Sequence, residues 1–220
     1  MKKSLIILSG GMDSVTLLYQ KKEEIGLAVT FDYGANLSRN EIECARYHCR
    51  KLGVRHIVIE LPFISVYFKS SLLRGADSVP NAFGDDGRDK SSTIVPFRNG
   101  IMMSIACGMA ESMGYTNVLI ATQVGGTSVC TYPDCSRKFL DAFSSACTLG
   151  TTNNVTIEAP YGEMEKSEIV KIGKSFGVDY TKTYSCYKGG DKHCGVCGTC
   201  IKRKEAFDKA GIIDKTIYEQ

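Results

Sequence analysis

The chain reads as an α/β protein: a parallel sheet with helices on both faces, followed by a small cysteine-rich region at its C-terminal end. Three observations lead there. Apolar strand-like runs alternate with segments of helical period along most of the 220 residues. Most connections are short, so that each helix serves as the crossover between two parallel strands. Four of the ten cysteines, Cys186, Cys194, Cys197 and Cys200, gather after the last strand–helix pair. Residues 1–180 are therefore expected to form the α/β domain and residues 181–220 a separate small region.

The elements follow in order. Ser4 to Leu8 is an apolar strand, and Val15 to Gln20 opens a helix after a glycine-rich turn. Leu27 to Asp32 is the second strand. From about Asn40 to Leu52, Ile42, Ala45, Cys49 and Leu52 recur at helical spacing, and Gly53 closes the helix. His56 to Leu61 is a short third strand. Asn99 to Met113 is a helix with Ile101, Ile105, Met109 and Met113 on one face and Gly114 as its stop. Asn117 to Thr122 is a strand, Ser136 to Leu149 a helix and Val155 to Ala159 a strand. The helix from Ser167 to Phe176 stops at Gly177. In such sheets ligands bind at the carboxyl ends of the strands, where the topology switches. One segment breaks the alternation: Lys69 to Val95 is rich in Ser, Gly, Asp and Pro without sustained period. A loop of that length predicts a mobile flap near the ligand, with surface disorder as the plain alternative.

The first turn carries chemistry. Ser9-Gly10-Gly11-Met12-Asp13-Ser14 joins a strand to a helix, and its two glycines let the backbone turn tightly and approach an anion. The N–H groups and the positive end of the helix dipole then face phosphate oxygens. The Ser9 and Ser14 hydroxyls add donors, and Asp13 can hold a magnesium ion against the phosphates. The loop lacks the Gly-Lys-Ser/Thr ending of a Walker A motif and does not match the dinucleotide fingerprint. It resembles the S-G-G-x-D-S loop of the PP-loop ATP pyrophosphatases, of the adenine nucleotide alpha hydrolase-like type. These cleave ATP between its α and β phosphates on a Rossmann-like sheet.

The second signal is Cys186 followed by Cys194-Gly-Val-Cys197-Gly-Thr-Cys200. Two-residue gaps let one tight turn offer two sulfurs to one ion, and four thiolates suit tetrahedral zinc. An iron–sulfur centre or thiol redox chemistry are the alternatives. His193 adjoins a ligand and reads as a bystander. Cys44, Cys49, Cys107, Cys130, Cys135 and Cys147 read as small apolar residues, and only the surroundings of Cys135 invite chemistry.

Bulk properties narrow the class. A net charge of +3 does not argue for nucleic-acid binding, and Lys202-Arg203-Lys204 reads as the solvated start of a helix. Lys2 and Lys3 precede only a short apolar stretch, and the chain has no long apolar span. A cytoplasmic enzyme without membrane or nucleic-acid partners is expected, its cysteines serving metal or catalysis.

An ordered series of motifs now carries a wider resemblance. It comprises the first turn, Phe31-Asp32-Tyr33-Gly34, Val95-Pro96-Phe97-Arg98-Asn99-Gly100, Tyr132-Pro133-Asp134-Cys135, Lys166-Ser167-Glu168-Ile169-Val170, Ser185-Cys186-Tyr187 and the cysteine cluster. The series is similar to the 7-cyano-7-deazaguanine synthase family of queuosine biosynthesis, over essentially the whole chain. The resemblance implies a ligase using ATP, Mg²⁺ and a structural Zn²⁺, and working as a homodimer. Its substrate would be 7-carboxy-7-deazaguanine, adenylated and aminated by ammonia to an amide, then dehydrated to the nitrile with a second ATP. Ser9, Gly10, Gly11, Met12, Asp13 and Ser14 would hold the leaving pyrophosphate, and Phe31 lies where adenine should rest. Asp13, Lys166 and Arg98 form the expected catalytic set, with Lys166 neutralising the α-phosphate by family analogy. Arg98, Asn99, Tyr132 and Asp134 are the expected substrate residues. Arg98 and Asn99 would reach phosphate or carboxylate, and Asp134 the guanine-like N–H edge. The plainer roles are a helix-start lysine for Lys166, an N-cap for Asn99 and a turn former for Asp134.

The chain departs from the family pattern at two places. Ala35-Asn36-Leu37 follows Phe-Asp-Tyr-Gly where Gln-Arg-His is usual, and Gln123 to Thr131 lacks the usual Asn and acidic residues. A synthase-like paralog that passes the activated deazaguanine to an amine on a partner protein, as in antiviral defence, is the alternative. A non-catalytic nucleotide- and zinc-binding scaffold is the further alternative.

Overall fold

The structure is a computed structural model and describes residues 3–76, 79–81, 90–123 and 132–219. Its centre is a five-stranded sheet of β1 (Ser4–Ile7), β2 (Ile25–Asp32), β3 (His56–Glu60), β4 (Asn117–Ile120) and β5 (Thr156–Glu158). The spatial order is β3-β2-β1-β4-β5, and every neighbouring pair is parallel. The expected α/β architecture is thus borne out. The chain runs outward from β1 to β3 and then returns to the other side of β1, so the switch point lies beside the carboxyl end of β1.

Seven α-helices are present among the described residues: α1 (Met12–Gln20), α2 (Ser38–Leu52), α3 (Pro62–Tyr67), α4 (Arg98–Ser112), α5 (Arg137–Gly150), α6 (Lys166–Ser175) and α7 (Gly198–Ala210). None is long and apolar enough to cross a membrane. The strands alternate between two cores, which explains why they read as continuous apolar runs. Leu5, Ile7, Leu27 and Val29 pack with Met103 and Ala106 of α4 and Leu140 of α5. Ile6, Leu8 and Ala28 face Val15 and Leu18 of α1, Ile169 and Val170 of α6 and Phe207 of α7. The four clustered cysteines belong to the first core.

Three expectations need correction. The helix α3 was not foreseen: it is only six residues long, set by Pro62 in its first turn, and too short to show a period. The run Lys202-Arg203-Lys204 lies inside α7 rather than at its start; Lys202 and Lys204 are exposed as expected, but Arg203 is only 1% exposed. The stretch after Lys69 is no flap in its described part. Leu72, Leu73, Val79 and Val95 are buried, Asn36 N donates to Leu72 O at 2.9 Å and Arg74 N to Gly34 O at 2.9 Å. Residues 77–78 and 82–89 of that stretch, and 124–131 of the second departure with Cys130, lie outside the described residues. Of the other cysteines, Cys49, Cys107 and Cys147 are buried as expected of small apolar residues, while Cys44 and Cys135 are half-buried.

His48 ties α2 to the segment leading into the cysteine region. Its Nδ1 accepts from the Tyr19 hydroxyl at 2.9 Å and its Nε2 donates to Lys182 O at 3.0 Å, the tautomer following from the carbonyl's inability to donate. Burial lowers its pKa from the ordinary 6.5 to about 4. The unfolded chain therefore takes up the proton first, and stability falls as pH drops from 6.5 toward 4, by at most roughly 3 kcal/mol. Chemical denaturation from pH 7 to 4.5 should show this slope in the wild type and a shallower one in His48→Gln.

Candidate active site

Several helix N-termini meet at the switch point, around a cleft of about 900 Å³. The turn that opens α1 forms its floor. Leu8 N donates to Val29 O at 2.8 Å, Thr30 Oγ1 to Leu8 O at 2.6 Å and Tyr184 N to Gly10 O at 3.1 Å, so this backbone is fixed from both sides. Gly10 has φ of +76°, and a Cβ there would overlap the carbonyl of Glu41. The Ser9 and Ser14 hydroxyls lie 3.0 Å apart, Gly11 N donates to Ser9 Oγ, and Ser14 Oγ donates to Gly11 O. These bonds shape the turn, while Ser9, Gly11, Met12, Asp13 and Ser14 all line the cleft.

Asp13 and Lys166 were expected from separate motifs, and the fold brings them together. Lys166 Nζ donates to Asp13 Oδ2 at 2.5 Å, across the N-termini of α1 and α6. The other oxygen, Oδ1, is buried without a partner among the described residues. Glu165 and Glu168 form a capping box that fixes the start of α6 and hence the reach of Lys166.

Arg98 begins α4 on the opposite wall. Its Nη1 donates to the Tyr33 hydroxyl at 3.0 Å, and its guanidinium lies 5.5 Å from the centre of that ring. Burial raises the Tyr33 and Tyr187 phenols against the pull of Arg98, so both stay neutral donors and acceptors. Asn99 is not the N-cap of α4: that position belongs to Phe97, and Asn99 Nδ2 instead donates to Cys135 Sγ at 3.1 Å. Asp134 Oδ2 accepts from Asn99 N at 2.8 Å, so this carboxylate caps α4 from a distant segment. Tyr132 meets Thr93 Oγ1 at 3.0 Å through its hydroxyl, and Phe31, 4% exposed, lies near the carboxyl end of β2. Phe31, Arg98, Asn99, Tyr132, Asp134 and Lys166 all line the one cleft.

Glu41 was missed. It lies in the first turn of α2, half-buried and lining the cleft. Burial pushes its carboxyl up to about 8 against the attraction of Arg98, and nearby Asp32 adds to the rise. In the sequence it looks like any polar residue flanking the apolar stripe of an amphipathic helix. Tyr33 and Tyr187 stood inside recognised motifs, but nothing local marked them as neighbours of Arg98.

The cysteine sulfurs of residues 186, 194, 197 and 200 lie within 4.8 Å of one another and are all buried. Cys194 Sγ and Cys197 Sγ lie 3.9 and 3.5 Å from Cys200 Sγ. Zinc–sulfur bonds of about 2.3 Å demand sulfurs about 3.8 Å apart in a tetrahedron, so the set fits that ion. His193 stands aside, accepting from Ser185 N at 3.0 Å with its ring 4.6 Å from that of Tyr184.

Arg203 connects this cluster to the cleft. From α7 it donates to Thr183 Oγ1 at 2.8 Å, Ser185 Oγ at 3.2 Å, Tyr180 O at 2.9 Å and Asp214 Oδ2 at 3.2 Å. It thereby holds the segment whose Tyr184 N bonds Gly10 O.

The chain is similar to known proteins over nearly its whole length. The profile of the family described as queuosine biosynthesis protein QueC matches residues 3–211. The chain is 51% identical over 218 residues to 7-cyano-7-deazaguanine synthase of Porphyromonas gingivalis, covering 99% of this chain and 98% of that protein. A protein of the same name from Desulfotalea psychrophila is 43% identical over 221 residues, covering 99% of each. Among solved structures, NMN synthetase from Francisella tularensis superposes with a TM-score of 0.50 at 14% identity, over 97% of this chain and 79% of that one. That likeness speaks to the fold alone.

Truncating Arg203 would leave the half-buried Asp214 carboxylate without its cation. Arg203→Ala should lower unfolding free energy by about 3–5 kcal/mol, measured by denaturant titration.

Proposed function

Since the chain belongs to the QueC family of queuosine biosynthesis proteins, we propose that it is a 7-cyano-7-deazaguanine synthase. On this reading it is an ATP-dependent carbon–nitrogen ligase. It adenylates 7-carboxy-7-deazaguanine, releases pyrophosphate, and aminates the acyl-adenylate with ammonia to an amide. The amide is activated by a second ATP and dehydrated to the nitrile, with AMP and pyrophosphate as by-products. The observation that carries this reading is a single cleft with the Asp13–Lys166 pair on one wall and Arg98 with Tyr33 on the other. A carboxylate resists nucleophiles because it is anionic and its oxygen leaves poorly. Joining it to AMP requires an anion-holding turn and a cationic anchor for the acid in the same cavity.

The residues divide the work accordingly. The turn from Ser9 to Ser14 binds the β and γ phosphates through backbone N–H groups at the start of α1. Lys166 sits where charge builds on the α-phosphate and stabilises it. Arg98 orients the acid of the heterocycle by a charge-assisted pair, and Asn99, Tyr132 and Asp134 shape the surrounding wall. The face of Phe31 carries adenine. The unpartnered Asp13 Oδ1 suits a magnesium ion, which would neutralise phosphate charge when bound. The four cysteines would hold a structural zinc with no open position, stabilising α7 and the loop before it.

Relatives bearing the synthase name at 51% and 43% identity favour ammonia over a protein amine as the nucleophile. The exposed apolar side chains Phe63, Val66 and Tyr67 of α3 support a homodimer.

With ATP, magnesium, ammonium and 7-carboxy-7-deazaguanine, mass spectrometry should find the nitrile, and pyrophosphate should be released. Lys166→Ala should reduce that release by about 10²–10³-fold. Absence of pyrophosphate from the wild type would overturn the reading. Cys197→Ser should abolish stoichiometric metal and expose the C-terminal segment to protease first; unchanged metal content and melting would refute the structural role of the ion.

A further inference from the structure

The amination needs a base that none of the expected site residues supplies. When ammonia adds to an acyl carbon, the nitrogen becomes positively charged and must lose a proton before AMP can leave productively. The later dehydration removes further protons from the same nitrogen. Histidine is the usual agent, yet among the described residues no histidine lines the cleft. The phenols of Tyr33 and Tyr187 are held neutral.

The cleft's carboxylates can be sorted by what they already do. Asp13 receives Lys166, Asp134 caps α4 at Asn99 N, and Glu165 is spent in the capping box of α6. Glu163 and Glu205 are exposed on the rim. Glu41 is different. Its backbone carbonyl is packed against Gly10 in the phosphate turn, and its side chain lines the cleft within the field of Arg98. Its carboxyl makes no hydrogen bond among the described residues. It is thus placed beside both the phosphate turn and the acid-binding arginine, with no structural duty.

Resting on the synthase reading, we infer that Glu41 is the catalytic base of the amination and takes the proton from the nitrogen that attacks the acyl-adenylate. Ammonia forms the nitrogen–carbon bond, and the carbon–oxygen bond to phosphate breaks with its electron pair leaving on AMP. One nitrogen-bound proton passes to the Glu41 carboxylate, and that proton is later given to solvent. A carboxyl whose affinity for protons is raised into the neutral range is a far stronger base than an ordinary glutamate, and it regains its charge readily near pH 8. The attraction of Arg98 is what keeps the rise from burial from going further.

The test separates half-reactions. Wild-type enzyme and Glu41→Gln are given ATP, magnesium and 7-carboxy-7-deazaguanine, with either ammonium or hydroxylamine as nucleophile. Substrate-dependent exchange of labelled pyrophosphate into ATP reports adenylation and correct folding. Hydroxylamine, whose nitrogen is more acidic once attached, loses its proton to water without a base. The expected result is exchange and hydroxamate formation within about threefold of wild type, with amide formation reduced about 10²–10⁴-fold. Glu41→Asp should recover part of the amide rate. Amide formation by Glu41→Gln within threefold of wild type would overturn the inference. So would equal loss of exchange, hydroxamate and amide, because Glu41 would then serve binding or structure. A wild type without exchange would overturn the synthase reading and this inference with it.

Discussion

The site depends on one steric constraint: the backbone at Gly10 has no room for a side chain. Its positive φ turns the chain back on itself, and the Glu41 carbonyl occupies the space a Cβ would need. Tyr184 N takes the Gly10 carbonyl from the other side. Three segments remote in sequence are thereby brought against the same residue: the phosphate turn, the start of α2 and the strap leading into the cysteine region. Any side chain at this position would push them apart.

From that contact the charge layout of the cavity follows. The helices α1, α4, α6 and α7 all begin at its rim, so their N-terminal ends make it favourable to anions before any side chain is counted. Lys166 and Arg98 add formal positive charge on opposite walls. Asp13 tempers the first, and Glu41 tempers the second only partly, because burial disfavours its ionised form. The two carboxylates keep different company: one has a lysine within bonding distance, the other only the field of an arginine. The cysteine region contributes from outside. Through Arg203 it holds Thr183 and Ser185, the residues flanking Tyr184, so order at the four sulfurs becomes order at the phosphate turn.

Much of this was legible in the chain. The five strands and five of the seven helices among the described residues follow from period and glycine stops. The two exceptions are instructive. The six residues of α3 carry too little pattern to register, and α7, expected to open at Lys202, instead begins at Gly198 among cysteines and glycines whose spacing speaks of metal rather than helix. Of the site, the anion-binding turn and the four-cysteine set were visible because their chemistry is carried by close spacing. The roles of Asn99 and Asp134 were not: one carboxylate caps the helix that the other residue was expected to cap, across a gap in sequence that no local rule spans. The stretch after Lys69 looked like a flap because it lacks periodicity, yet its scattered Leu72, Leu73 and Val79 find a core to enter.

By itself, the sequence determined the order of elements, the anion-binding turn and a four-thiol cluster, since each is written in residues a few positions apart. Tertiary structure alone decided that Lys166 meets Asp13, that Arg203 is buried among Thr183, Ser185 and Asp214, and that Glu41 faces the cleft unpaired. Those facts depend on which distant groups share a low-dielectric space. Charge, burial and missing partners acquire meaning only when that space is closed.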